Sequence, residues 1–283
     1  MTWQYYIALA VLLLSVAILL QRVMLSHFKV DSVAFASVFQ LLVAVIMIHW
    51  VFWHGISFAG YGNQWLPVLL CTIGFGYGSV LYAKTLQRVD ASAFSVLFAT
   101  QTVWIMFAGV MLYSEKLQLL QLVGAALIFT SIGLLAKNRS VFKNPEGIFL
   151  GLLTGLFFGI AVASSAYLVR TVEPLTWVWV SFILGGFGSL LVNPSKISLC
   201  YSLIRSEILL LMLAGAAVYA VGTVAMNYAY IEGPFSLVAP IRQSGIILTT
   251  ILAVWLLRQE RVDVSRKLTA AAICTLGVLL LLS

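Results

Sequence analysis

A chain of 283 residues that is 62% hydrophobic and only 9% charged, with a mean hydropathy of +1.07, departs far from the roughly 25% charged residues of a soluble domain. Water is excluded as its main solvent, and too little polar sequence remains to build a soluble domain. The formal charge of +7 would suit a nucleic-acid partner, but it is spread as short basic loops between apolar runs, so the lipid bilayer is the expected partner and no nucleic acid is inferred.

A hydrocarbon core about 30 Å thick takes roughly 20 apolar residues per helix, so this length accommodates about ten spans. In chain order they are expected near 3–20, 33–53, 66–86, 91–112, 117–136, 147–169, 176–192, 207–231, 235–257 and 265–282. Runs such as Ile7 to Leu20 and Leu117 to Ala136 are continuous, whereas strands of a membrane barrel alternate polar and apolar residues, so an all-α integral membrane protein is predicted. The first run starts almost at Met1 without a basic n-region or a small-residue cleavage site, which predicts a retained helix and not a signal peptide.

With ten spans, one set of alternate loops carries Arg22 and Lys29; Lys84 and Arg88; Lys137, Arg139 and Lys143; Lys196 and Arg205; and Arg258, Arg261, Arg266 and Lys267. The opposite set holds only Lys116 and Arg170. The positive-inside rule puts the first set in the cytoplasm and both termini outside, which suits a bacterial inner (cell) membrane. Trp3, Tyr5, Tyr6, Trp50, Trp53, Trp65, Tyr113, Trp177 and Trp179 then fall near the outer face, as an aromatic belt would.

The two halves repeat. The segment Tyr82 to Ala136 returns about 145 residues later: Glu115 in SEKLQLLQLVGAAL matches Glu260 in QERVDVSRKLTAAA, Gly124 matches Ala270, and Ser131 matches Gly277. Earlier, Val30-Asp31 corresponds to Val172-Glu173-Pro174. Five spans per half, in residues 1–139 and 140–283, force opposite insertion, and charge bias flips between paired loops as inversion requires: Lys84 and Arg88 pair with a loop holding Glu232, and Lys116 with the most basic loop. Inverted repeats are a recurring architecture of secondary transporters.

The YAKTLQRVDAS segment, the SEKLQLLQLVGAALI segment and its echo APIRQSG…LLRQER, together with the ten-span plan, resemble the drug/metabolite transporter superfamily, in particular its EamA-like branch. That resemblance covers essentially the whole chain and implies a membrane transporter, not an enzyme. The family usually has a proline in the fourth span, where this chain has Thr102; the equivalent place in the ninth span is near Ile247.

Arg242 is the clear charge deep inside a predicted span, roughly 12 Å along the helix from its outer end at 1.5 Å per residue. It has two readings: a guanidinium binding a substrate carboxylate or phosphate through paired hydrogen bonds, or a structural Arg satisfied by carbonyls and neighbouring Gln or Ser groups. By repeat symmetry Arg242 corresponds to Leu97, on one helical stripe with Gln101, Trp104 and Ala108. Gln101 and Trp104 therefore become candidate substrate contacts, against the plainer readings of a helix-bridging amide and a space-filling indole. Tyr82, Asn227 and Tyr228, at quasi-equivalent ends of the third and eighth spans, are candidate gates or cavity walls, with interfacial anchoring the alternative for the tyrosines. Gln40 and Gln243 are weaker candidates for the same lining.

Gly147, Gly151, Gly155 and Gly159 form a small-residue ridge, as do Gly74 and Gly78, which permits close helix packing. GFGYG at Gly74 to Gly78 lacks the Lys-Ser/Thr of a phosphate loop. The nine acidic residues all lie at or near span ends, so a proton-carrying carboxylate within the membrane is not expected; Glu115 and Glu260 read as helix starts. His27 and His54 fall in predicted loops and His49 near the outer boundary. Cys71, Cys200 and Cys274 have no metal-ligand spacing, and no disulfide, metal or other cofactor is inferred.

These features predict a transporter of small polar metabolites, such as amino acids or related compounds, working by export or exchange through alternating access, as a monomer or homodimer. A lipid-linked sugar or phospholipid carrier is an alternative, since Arg242 would equally meet a phosphate. So is a non-transporting receptor or scaffold, whose sign would be a packed centre. No catalytic pair or metal cluster sits at mid-span.

Overall fold

The structure, a computed structural model, describes residues 2–113, 118–136, 145–169, 171–233, 238, 241–242, 244–257 and 261–281. Among these there is no strand. The first half contains α1 (Thr2–His27), α2 (Ser32–His54), α3 (Trp65–Arg88), α4 (Ala91–Phe98), α5 (Thr100–Tyr113) and α6 (Leu119–Ala136). The second contains α7 (Pro145–Leu168), α8 (Pro174–Val192), α9 (Ile197–Ile204), α10 (Ile208–Glu232), α11 (Gly245–Leu256) and α12 (Val264–Leu281). Of the described helices, α1, α2, α3, α7, α8, α10 and α12 are each long and apolar enough to cross a membrane; 91–107, 119–135 and α11 are shorter apolar segments.

Several helix ends are written in the local sequence. Asp31 caps α2 by accepting from the amides of Val33 and Ala34 at 2.9 and 3.2 Å. Glu173, its repeat counterpart, caps α8 by accepting from Leu175 and Thr176 at 3.1 and 2.5 Å, with Pro174 opening the helix where no N–H is needed. Burial works against the Asp31 charge, but the Ala34 and Val33 amides and Lys196, with its Nζ at 3.2 Å, outweigh it and hold the carboxyl below its usual range. A depressed folded-state pKa contributes stability above the ordinary carboxylate pKa and loses it as pH falls through the folded value. The expected result is that Asp31→Ala lowers stability at neutral pH by about 1 kcal/mol, and that this gap to the native chain closes below about pH 4. Thermal unfolding in detergent across pH 3 to 7 measures it.

The fourth span is interrupted without a proline. At Ala99, between α4 and α5, the Thr102 amide bonds back only three residues, to the Ala99 carbonyl at 3.0 Å. The Thr100 and Thr102 hydroxyls donate to the Leu97 and Ala99 carbonyls at 2.7 and 2.6 Å. Hydroxyl back-bonding of this kind competes with the regular ladder and bends helices. The repeat-equivalent residue 145 positions on is Ser244, just before α11, whose amide and hydroxyl both bond the Ile241 carbonyl, at 3.0 and 2.6 Å. Thr100 and Thr102 thus stand at the first break where the family usually has a proline, and Ser244 makes the matching back-bond at the second.

Packing follows the repeat. Helix α3 packs on α7 as α10 packs on α1; α3 on α8 as α10 on α2; and α5 on α7 as α11 on α1. The pairs α2–α8 and α6–α12 map onto themselves when the halves are exchanged. Small residues allow these approaches. A Cβ on Gly124 would lie 2.5 Å from the Gly277 carbonyl oxygen, and one on Gly277 would lie 2.7 Å from that of Gly124. Gly76 and Gly188 similarly bring the backbones of α3 and α8 together, and the glycine ridge of α7 receives Val89, Leu97, Thr100 and Trp104. Large apolar side chains such as Leu12, Val45, Phe129, Leu191 and Leu210 are exposed on the outside, where lipid would meet them.

Three expectations are corrected. Trp177 is fully buried, tilted against Tyr61 and donating to the Ser165 hydroxyl at 2.7 Å, so it fills the interior and does not anchor at the interface. Tyr5, Trp53 and Trp65 are exposed, whereas the side chain of Tyr113 lies outside the described residues. His54 is the last residue of α2, not a loop residue, and His27 ends α1. Helix α9 was not foreseen: only Cys200 and Leu203 of its eight residues are buried, and the Arg205 guanidinium lies 4.2 Å over the Tyr201 ring. Such a short helix is below the length that hydropathy reveals as a span.

Candidate functional site

A cavity of about 330 Å³ occupies the centre, and helices from both halves line it: α1, α2, α3, α4 and α5 from one, and α7, α8, α10 and α11 from the other. The self-paired helices α6 and α12 contribute nothing to it. Both interrupted spans present their breaks here, Gln101 lying one residue into α5 and Gly245 and Ile246 opening α11. Among the described residues the wall carries seven serine and threonine hydroxyls, Ser15, Ser79, Ser95, Ser165, Ser181, Thr223 and Thr249, the two tyrosines Tyr82 and Tyr219, and three amides, Gln21, Gln40 and Gln101. Arg242 is the one charged residue among the described lining residues.

Arg242 stands three residues before α11, and its guanidinium donates to the Tyr230 hydroxyl, with Tyr219 close by. Tyr219 packs edge-on to Phe39 and Phe182, at 5.8 and 5.9 Å between ring centroids. Tyr82 faces it across the cavity, inside a shell formed by Phe94, Phe98 and Phe158 at 4.6 to 6.1 Å. The Tyr82 hydroxyl oxygen is buried and has no hydrogen-bond partner among the described residues. An unmade bond at a cavity wall is a donor available to a ligand.

Of the residues singled out in the sequence, Arg242, Gln101, Tyr82 and Gln40 meet at this cavity. Gln40 is partly committed, donating to Ser189 Oγ at 3.2 Å, which in turn donates to the Gly76 and Gly185 carbonyls. Trp104 is not among the described lining residues: it packs on Gly159 and Phe107 with 38% of its surface exposed. Asn227 spends its amide on the Thr223 carbonyl of its own helix at 2.8 Å. Tyr228 belongs to a separate outer cluster, stacked on Tyr6 and bonded to His54 Nε2 at 2.6 Å. Gln243 lies outside the described residues. Sequence reading missed Gln21, Tyr219 and the hydroxyl residues; a serine or threonine in an apolar run gives no signal that separates cavity lining from back-bonding.

The two ends of the cavity differ in chemistry. At the predicted outer end the residues that meet are Tyr6, His54 and Tyr228. At the predicted cytoplasmic end Asp90, just before α4, is 2.7 Å from Lys267 of α12 and 3.7 Å from Arg22 of α1, whose guanidinium also donates to the Leu86 carbonyl. Lys267 is 1% exposed. Gln21, the neighbour of Arg22, lines the cavity floor, so this ion cluster ties three helices from both halves directly beneath the cavity.

Apolar spanning helices packed as two exchanged halves around a central small-molecule cavity define an α-helical, multi-pass membrane protein of two-repeat architecture. The chain belongs to the EamA-like transporter family, whose pattern matches residues 1–137 and 145–283, and it is accordingly a membrane transporter of small molecules. One solved structure, described only as the crystal structure of a protein, is similar in fold with a TM-score of 0.55 at 16% identity, covering 94% of this chain and 97% of that one. No curated protein matches the sequence.

Proposed function

We propose that the protein carries a small polar metabolite, an amino acid or related compound, by alternating access, with export or exchange as the direction and Arg242 as the anchor for the substrate's anionic group. Residues 1–139 and 140–283 are the two five-span halves, inserted in opposite directions in a bacterial inner membrane. The observation that carries this reading is the central cavity between the halves, with one cation among its described lining residues and a polar lining drawn from both. A scaffold would need no such space.

The test uses a position where the cavity wall has no side chain. A Cβ on Gly245 would meet nothing closer than Ser15 Oγ at 3.8 Å and Val11 Cγ1 at 3.9 Å, so alanine fits and a ring would project into the cavity. In proteoliposomes loaded with amino acids and related metabolites, Gly245→Ala is expected to keep saturable counterflow, and Gly245→Phe to abolish it while the protein stays folded. Equal flux in both variants would sink the reading.

A further inference from the structure

Resting on that reading of the cavity, and narrowing its substrate from amino acids to the related carboxylates, we infer that the substrate is an organic monoanion with an apolar, aromatic-sized body and no ammonium group, so that the protein distinguishes a carboxylate from the corresponding amino acid.

The charge inventory is the first argument. The cavity offers Arg242 as its fixed cation, and no acidic residue is among its described lining residues, because the carboxylates of the lining helices, Glu146 of α7 and Glu232 of α10, stand at the helix ends. A zwitterion would bring an ammonium to a wall of hydroxyls, amides and rings, with no carboxylate to neutralise it, and a charge taken from water without an opposite partner is costly. A lone carboxylate meets the guanidinium and leaves nothing unpaired.

Backbone electrostatics point the same way. Both broken spans start their second pieces at the cavity, α5 beside Gln101 and α11 beside Gly245, so the first turns of two helices, whose N-terminal ends carry partial positive charge, contribute to its wall, with the last turn of α4 beside the first of them. Independently, Tyr82 lines the same cavity, and its buried hydroxyl has no hydrogen-bond partner among the described residues, so it holds an unspent donor beside the site. Among the described lining residues the single full charge is therefore positive, and the hydroxyls and amides around it both donate and accept.

Shape supplies the apolar body. Eight aromatic rings line the cavity, including Phe39, Phe98, Phe158 and Phe182, and its volume of about 330 Å³ lies at the low end of ligand pockets, enough for one ring with a short acidic arm.

The matched probes are 3-phenyllactate and phenylalanine, which differ by a hydroxyl in place of the ammonium. They are compared by counterflow in proteoliposomes at pH 7.5, with Gly245→Phe protein as the leak control, beside lactate and a panel of cationic and uncharged metabolites. The expected result is at least tenfold faster flux of phenyllactate than of phenylalanine or lactate, with the preference over phenylalanine lost in Arg242→Gln. Phenylalanine carried as well as phenyllactate, or lactate or a panel compound carried where phenyllactate is not, overturns the inference and leaves transport standing. Absence of flux for every compound, through folded protein, overturns the transport reading together with it.

Discussion

Arg242→Ala is expected to cut transport of an anionic substrate by at least about 30-fold, because truncating one partner of a buried charged hydrogen-bonded pair costs about 2 to 5 kcal/mol and each 1.4 kcal/mol is tenfold. The guanidinium is the one charge among the described lining residues, and no carboxylate is among them, so its charge is available to a ligand. Arg242→Lys keeps the charge but loses the planar fork, and should fall between the native chain and alanine. Flux and thermal unfolding must be read together. If alanine unfolds the protein, or if lysine transports like the native chain while alanine leaves flux intact, Arg242 holds the ninth span in place and does not bind substrate.

The second large effect concerns Asp90. Its carboxylate is the anion between Lys267, at 2.7 Å and 1% exposed, and Arg22, at 3.7 Å. Removing one partner of a buried ion pair leaves an uncompensated charge and costs about 3 to 5 kcal/mol. Asp90→Ala should show that loss as a lower unfolding temperature in detergent, whereas Asp90→Leu combined with Lys267→Met, which removes the anion and the most buried cation together, should recover most of it. Arg22 retains the Leu86 carbonyl as a partner in the double variant. If the double variant is as unstable as Asp90→Ala, the pairing contributes little and the loss lies in packing at the α4 start. Because the cluster joins α1, α4 and α12 beneath the cavity, breaking it should also loosen the cytoplasmic closure, read as faster labelling of a cysteine placed at Gln21.

Much of the architecture was legible in one dimension. The length of an apolar run is a property of consecutive residues, so the existence and order of the spans follow from hydropathy, and the caps at Asp31 and Glu173 follow from residue type and position. The depth of Arg242 could be counted along its span for the same reason. Tyr82, Gln40 and Gln101 also stood out, as polar side chains within apolar helices.

What only the tertiary structure decided is azimuth, meaning which side of each helix faces inward. In a soluble protein water forces an amphipathic stripe that marks the core, but where lipid covers the outer face both faces are apolar and the stripe fades. Trp104 and Gln101 therefore looked like neighbours on one functional stripe, yet one packs outward on Gly159 and the other lines the cavity. The breaks at Ala99 and Ser244 come from hydroxyls choosing nearby carbonyls, a choice that composition alone leaves open. Asp90 and Lys267 are 177 residues apart in sequence, and they meet because α4 and α12 pack together.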